Sequence, residues 1–246
     1  MIVTTDEKEI AMTRTKVYLN NLTAILLSAS CSVALAAGAG QVQHLSGTLS
    51  AQNPDGTVRI LSQKSEVNPG QVVTTQKDSY AQINFTDGSS MTMRPNTQMK
   101  IETYQFAEGR PQEDSAFFRL LKGGLRTVTG LVGKRGNQDA YRIGTATATI
   151  GIRGSSGDTL DCTQGGDGAG GVCEKVEKGV YHTTYTGSYI MQNESGSQII
   201  GEGQFGFVRD ATSAPQILPK DPGLNLSDLP FVLGQAPKQA AECAVR

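Results

Sequence analysis

Between residues 58 and 210, apolar side chains recur at every second position in short runs: Val58/Ile60, Ala81/Ile83/Phe85, Met91/Met93, Met99/Ile101, Tyr141/Ile143, Ala146/Ala148/Ile150/Ile152 and Phe205/Phe207. A period of two is that of strands with one face buried. Gly, Asn, Asp or Pro interrupts the runs at 69–70, 87–88, 95–96, 109–111, 123–124, 136–137, 154–157 and 165–171. No segment with a helical period lies between them, so the pattern predicts an all-β fold of many short strands.

Parity makes one hairpin specific. The apolar positions 81, 83, 85, 91 and 93 are all odd. A two-residue loop at Asp87-Gly88 pairs Ile83 with Thr92 and turns Met91 to the wrong face. A three-residue loop, Thr86 to Gly88 with Gly88 left-handed, pairs Ile83 with Met91 and Ala81 with Met93. The alternation therefore predicts the longer loop, or a solenoid corner of equal parity. In 145–153, Ala146, Ala148, Ile150 and Ile152 read as one inner face, with Thr145, Thr147, Thr149 and Arg153 opposite. Small residues on that face fit a narrow stack of closely apposed sheets.

The ends of the chain read differently. From Met12, Arg14 and Lys16 precede an apolar stretch from Leu22 to Ala36, followed by Ala37-Gly38-Ala39. A basic start, an apolar run of about fifteen residues and small residues after it are the marks of a secretory signal peptide, and the run is short for a membrane span. Cleavage is expected after Ala36 or Ala39. The acids Asp6, Glu7 and Glu9 do not suit a signal sequence, so 1–11 reads as an extension upstream of a start at Met12. Residues 37–57 read as a polar leader with a turn at Asn53-Pro54-Asp55-Gly56. Residues 211–246 carry five of the nine prolines and read as a Pro-rich tail with two open readings: extended and partly disordered, or with Leu224, Leu226, Leu229 and Phe231 docked on the body or in one short helix.

Composition narrows the function. The 246 residues hold 22 Lys+Arg and 23 Asp+Glu, so bulk charge gives no footprint for nucleic acid. Two histidines, His44 and His182, are too few for a His-rich metal site and leave little for acid–base chemistry near neutral pH. Cys162 and Cys173 flank a glycine-rich stretch, and in an oxidising compartment they are expected to close it as a disulfide. Gly201 to Gly206 spells GxGxxG, but no helix opens after it, as a dinucleotide site needs. Asp161 and Asp167 near the glycine loop are too few oxygens for calcium. There is no nucleophile elbow. The sequence implies no cofactor, no metal and no catalytic residue.

Three blocks carry a resemblance. Val72 to Ile101 contains Phe85-Thr86-Asp87-Gly88-Ser89; Leu120 to Arg126 contains Gly123-Gly124-Leu125-Arg126; Gly144 to Gly154 closes in Ile150-Gly151-Ile152-Arg153-Gly154. In that order and spacing they resemble the FecR domain, over roughly 58–160 and on through 161–210. The resemblance implies a periplasmic β-rich domain with a twisted, solenoid-like stack of short strands, best known from regulators that relay an outer-membrane iron-uptake signal to a sigma factor. Those regulators carry a cytoplasmic helical domain and a membrane span, for which residues 1–36 leave no room. The closer likeness is to free-standing secreted FecR-domain proteins.

One charge feature remains. From Phe117 to Arg153 the chain carries Arg119, Lys122, Arg126, Lys134, Arg135, Arg142 and Arg153 against the single acid Asp139, which is +6 within a chain of −1. Such segregation is expected to form an anion-binding face. The sequence thus predicts a non-enzymatic extracytoplasmic interaction module, with an envelope protein or an anionic envelope polymer as partner. Two other readings stand beside it: a structural cell-wall or adhesion spacer, and a periplasmic signalling regulator of the iron-uptake type.

Overall fold

A computed structural model of the chain describes residues 38–137 and 139–224. Its strands are β1 (Gly40–Ser46), β2 (Leu49–Gln52), β3 (Val58–Leu61), β4 (Glu66–Val67) and β5 (Val72–Thr75). Then follow β6 (Tyr80–Phe85), β7 (Ser90–Met93), β8 (Gln98–Gln105), β9 (Ser115–Val128) and β10 (Tyr141–Gly144). The last are β11 (Thr149–Asp161), β12 (Val180–Asn193), β13 (Gly196–Gly201), β14 (Phe205–Val208) and β15 (Gln216–Leu218). Among the described residues the only helical pieces are single turns, as the missing 3.6-residue period implies.

Hydrogen bonding joins these strands into one open, mixed sheet folded into two leaves. The first leaf runs β3, β2, β5, β8, the first half of β9, β10, the first half of β11, the second half of β12, β13. The second runs β4, β1, β6, β7, then the other halves of β9, β11 and β12, then β14 and β15. Three long strands thus belong to both leaves and change neighbours part-way. β9 leaves β8 after Lys122 and takes β11 from Gly123. β11 and β12 slip register between Arg153 and Ser156, opposite Gly187. Gly187 has φ +74°, and a Cβ there would sit 2.7 Å from Ser155 Oγ, so both backbone and space call for glycine at this bend.

This corrects the expected solenoid. Stacked solenoid coils pair in parallel, whereas among the described residues β9 with β10 is the one parallel pair and the others are antiparallel. The all-β reading stands. The predicted hairpin register is also the one observed: Ala81 faces Met93, Ile83 faces Met91, and Gly88 sits at φ +81° in a loop of three.

Both leaves feed one core. Leu49, Val73, Met99, Ile101, Phe118 and Leu120 of the first leaf pack with Val42, Ile83, Met91, Met93 and Leu125 of the second. Phe118 meets Phe85 across the leaves, ring centroids 5.0 Å apart. The inward parity of β9 changes within the strand. Gln98 pairs with Lys122 but Met99 with Leu120, leaving Leu121 as an extra residue, and the buried positions shift from 118 and 120 to 125 and 127.

Three segment readings change. Residues 37–57 are not a leader, because β1 and β2 lie inside the sheet with Val42, Leu49 and Ala51 in the core. Val58 and Ile60 point outward, 63% and 71% exposed, while Leu61 is the core residue of β3; the strand ends a leaf and its outer face meets solvent. Residues 145–148 are a turn, closed by bonds between Thr145 Oγ1 and both the N–H and C=O of Ala148, and Ala146 is exposed. Of the Pro-rich tail, Gln216–Leu218 adds β15 and Leu224 docks beside Leu160, Tyr181 and Phe207. The signal-peptide and extension readings and the tail beyond Leu224 fall outside the described residues.

Candidate functional site

The Asp87-Gly88-Ser89 block builds a loop anchor. Asp87 is buried, and its Oδ1 accepts the Ser89 N–H, the Ser89 hydroxyl and the Tyr104 hydroxyl at 3.0, 2.6 and 3.1 Å. Its Oδ2 accepts the Val132 N–H at 3.2 Å, and its carbonyl accepts the Leu131 N–H at 2.9 Å. Burial, more than the neighbouring Asp87 charge, pushes the Tyr104 phenol far above its ordinary value, so it stays a donor. Thr129 adds two bonds to the Ser155 carbonyl. One carboxylate thus fixes the start of the 129–137 loop onto the β6–β7 turn.

The Ile150-Gly151-Ile152-Arg153-Gly154 block lies across from that loop. Ile152 faces the core and Arg153 faces solvent, as strand alternation requires. Between them opens a cleft of about 380 Å³ lined by Gly133, Lys134, Arg135, Gly136, Arg153 and Gly154. Arg135 is held rigidly. Its Nε donates to the buried Asp114 at 3.0 Å, its terminal nitrogens donate to the carbonyls of Glu108 and Ala107, and its guanidinium lies over the Phe106 ring.

The Gly123-Gly124-Leu125-Arg126 block has an interior role. Arg126 grips Asp158 with two bonds, at 2.7 and 2.9 Å, and Arg94 reaches the same carboxylate at 3.3 Å. Tyr185 donates to Asp158 at 2.9 Å and lies under the Arg126 guanidinium. Burial beside that carboxylate pushes the Tyr185 phenol well above its usual range. Gly124 makes room for this network, since a Cβ there would be 3.1 Å from both Arg94 Cδ and Ala169 Cβ.

The seven predicted cations therefore do not form one face. Arg126 and Arg135 are half-buried partners of Asp158 and Asp114. Arg119 pairs with Glu102 at 2.8 Å, and bonds from Lys100 and then Arg119 hold that carboxyl below its ordinary range. Arg119 and Arg142 both lie over the Phe117 ring on the outer face of the first leaf. Lys122 is half-buried beside the β9 bulge. Lys134, Arg135 and Arg153 line the cleft together, apart from the Arg119 and Arg142 pair over Phe117.

Cys162 and Cys173 are joined, with Cα atoms 5.1 Å apart. Their loop folds back so that Asn96 Nδ2 donates to Asp167 and Ala169 is buried. Asp161, whose carboxyl is raised by burial, bonds Thr163. Among the described residues no group of three His, Cys, Asp or Glu converges as metal ligands. His182 is buried in the core of β12, its Nδ1 3.0 Å from Thr159 Oγ1 and its ring against Tyr189. Sequence reasoning missed Asp87, Asp114 and Asp158 as organisers. Only Asp87 had a signal, its place in the DGS block.

Residues 71–171 match the family model described as FecR protein. That stretch is a FecR domain. It contains all three blocks, and it begins beside β5 and ends inside the disulfide loop. Curated proteins give no match. Among solved structures, two crystal structures of a provisionally named anti-sigma factor from Parabacteroides distasonis ATCC 8503 align at 10% and 11% identity, with TM-scores of 0.43 and 0.44. Each alignment covers 61% of this chain and 60% of the other.

Proposed function

We propose that the chain is an extracytoplasmic FecR-type signalling regulator that works by binding a partner protein and not by catalysis. The observation that carries this reading is the FecR domain at 71–171. An exported location has separate support: the signal-like segment at 12–36, and a Cys162–Cys173 bond of the sort that persists in oxidising compartments. Of the two cleavage positions, the one after Ala36 suits the fold, because Ala39 is buried and its carbonyl accepts the Thr86 N–H at 3.1 Å.

A face-wide grip on an anionic polymer is disfavoured, since Arg119, Arg126 and Arg135 are already engaged with acids. The decisive experiment combines crosslinking in the native envelope with transcript profiling of a deletion strain. A regulator gives one stoichiometric protein adduct and a small set of changed transcripts restored by the wild-type gene. Sedimentation with peptidoglycan and an unchanged transcript profile would leave a wall spacer instead.

A further inference from the structure

We infer that the outer face of the first leaf, where β9 to β13 lie side by side, docks a protein with an acidic surface. This rests on the partner-protein reading above and adds where the partner sits and what charge it carries. Strand register builds the face. Phe117 pairs with Arg142, Arg142 with Gly151, Gly151 with Ile190 and Ile190 with Ile199. The five form one row across five strands, about 19 Å long at ~4.8 Å per strand. Arg119, Gly144, Thr149 and Gln192 form the row beside it. The residues between the rows, Phe118, Ile143, Ile150 and Met191, belong to the core, so both rows look away from it.

Two glycines flatten the face. A Cβ on Gly144 would lie 3.0 Å from Phe117 Cε2 and Cζ, and one on Gly151 would lie 2.8 Å from Ile190 Cγ2. Both side chains therefore lie down across glycine backbone and are half-buried, while Ile199, 59% exposed, stands clear. Shape decides the partner class. A lipid surface needs apolar side chains that project into it, and two of the three in this row lie flat. A sugar ring stacks on a bare aromatic face, but the guanidinium groups of Arg119 and Arg142 lie over the Phe117 ring, 5.2 and 5.3 Å from its centroid. Aromatic, arginine and half-buried aliphatic groups on a flat face are what the centre of a protein interface is made of. Charge decides the partner's sign. Lys100 and Arg119 share Glu102, at 2.7 and 2.8 Å, and Arg142 stands on the next strand, so this face carries +2 with Glu102 counted. Such a face attracts an acidic partner and repels a basic one.

The test places a photocrosslinking p-benzoylphenylalanine at Gln192 or at Ile199 of the full exported chain in its native envelope, with exposed Asn84 on β6 of the second leaf as the control position. Both face positions are expected to give one and the same protein adduct, and Asn84 none. Calorimetric titration of the full chain with that protein, purified, should show binding that weakens as salt rises. Arg142→Glu should weaken it about tenfold or more, and Ile199→Asp, a second exposed change, by a similar factor, so a fold defect in one variant does not decide the matter. Lys175→Glu, the same charge reversal on the disulfide loop, should leave binding within about twofold. No adduct at either face position, adducts of lipid or peptidoglycan there, or equal weakening by Arg142→Glu and Lys175→Glu overturns the docking face. An adduct at Asn84 alone, with transcripts that respond to deletion, overturns the face and leaves the regulator standing. The expected adduct and variant pattern, with transcripts that ignore deletion, upholds the face and overturns the regulator.

Discussion

The Asp158 carboxylate is wholly buried and takes both bonds of the Arg126 guanidinium, 2.7 Å to Nε and 2.9 Å to Nη2, from a residue 32 positions earlier on the neighbouring strand. Arg94, equally buried, shares that carboxylate. Removing the acid strands two cations in or beside the core, which costs more than losing one hydrogen bond. Asp158→Ala is therefore expected to lose about 3–5 kcal/mol of unfolding free energy in urea titration, little changed by salt. Arg119→Gln, which breaks the surface pair with Glu102, should cost no more than about 1 kcal/mol.

His182 carries an acid-sensitivity prediction. Burial lowers its pKa from 6.5 to about 3, and the ring is neutral in the fold. The unfolded chain binds the proton in that window and the folded chain does not. Stability is thus fully present above pH 6.5 and declines as the pH falls toward 3, by about 1.4 kcal/mol per unit at most. Melting curves of wild type and His182→Gln across pH 7 to 4 check this. The variant should be less stable at pH 7 but show a shallower acid slope, and parallel slopes would refute the assignment.

Reduction should destabilise the chain without unfolding the main core. The Cys162–Cys173 bond closes an eleven-residue separation beside the smaller cluster of Leu160, Tyr181 and Phe207. Chain-entropy reasoning assigns such a loop about 3 kcal/mol. Melting with and without reductant should show a drop of that size, matched by the Cys162→Ala/Cys173→Ala variant. Amide exchange should speed up at Asp167–Val172 before it does at Ile83 or Met91.

What the sequence disclosed follows from the range of each interaction. The Ile83–Met91 register was legible because alternation and a single glycine both act within ten residues. The exposure of Val58 and Ile60 was not, since alternation marks a strand without saying which side another leaf covers. Residues 145–148 looked like a strand because Thr and Ala alternate there, while the side-chain bonds of Thr145 make a turn. Partner choice between distant strands decided a two-leaved sheet over a solenoid, and parity within a strand carries no such information. The count of seven cations was correct, but Asp158 and Asp114 lie 32 and 21 residues from the arginines they neutralise. Local charge cannot see such pairs.

Asp87 links the family block to the cleft, so its loss should be felt at a distance. Asp87→Ala removes the acceptor for Ser89, Tyr104 and Val132 in a buried turn. Unmet buried donors cost about 1–3 kcal/mol each, and partial relaxation of the turn should hold the total near 2–4 kcal/mol. The loss should be uneven. Exchange of the Val132 amide is expected to accelerate far more than that of Ile83 or Met91, because the 129–137 loop loses its anchor while the hairpin ladder stays paired. Asp87→Asn keeps one acceptor oxygen and should fall between wild type and alanine. If Val132 exchanges no faster than the hairpin core in Asp87→Ala, the carboxylate is not what holds the basic loop in place.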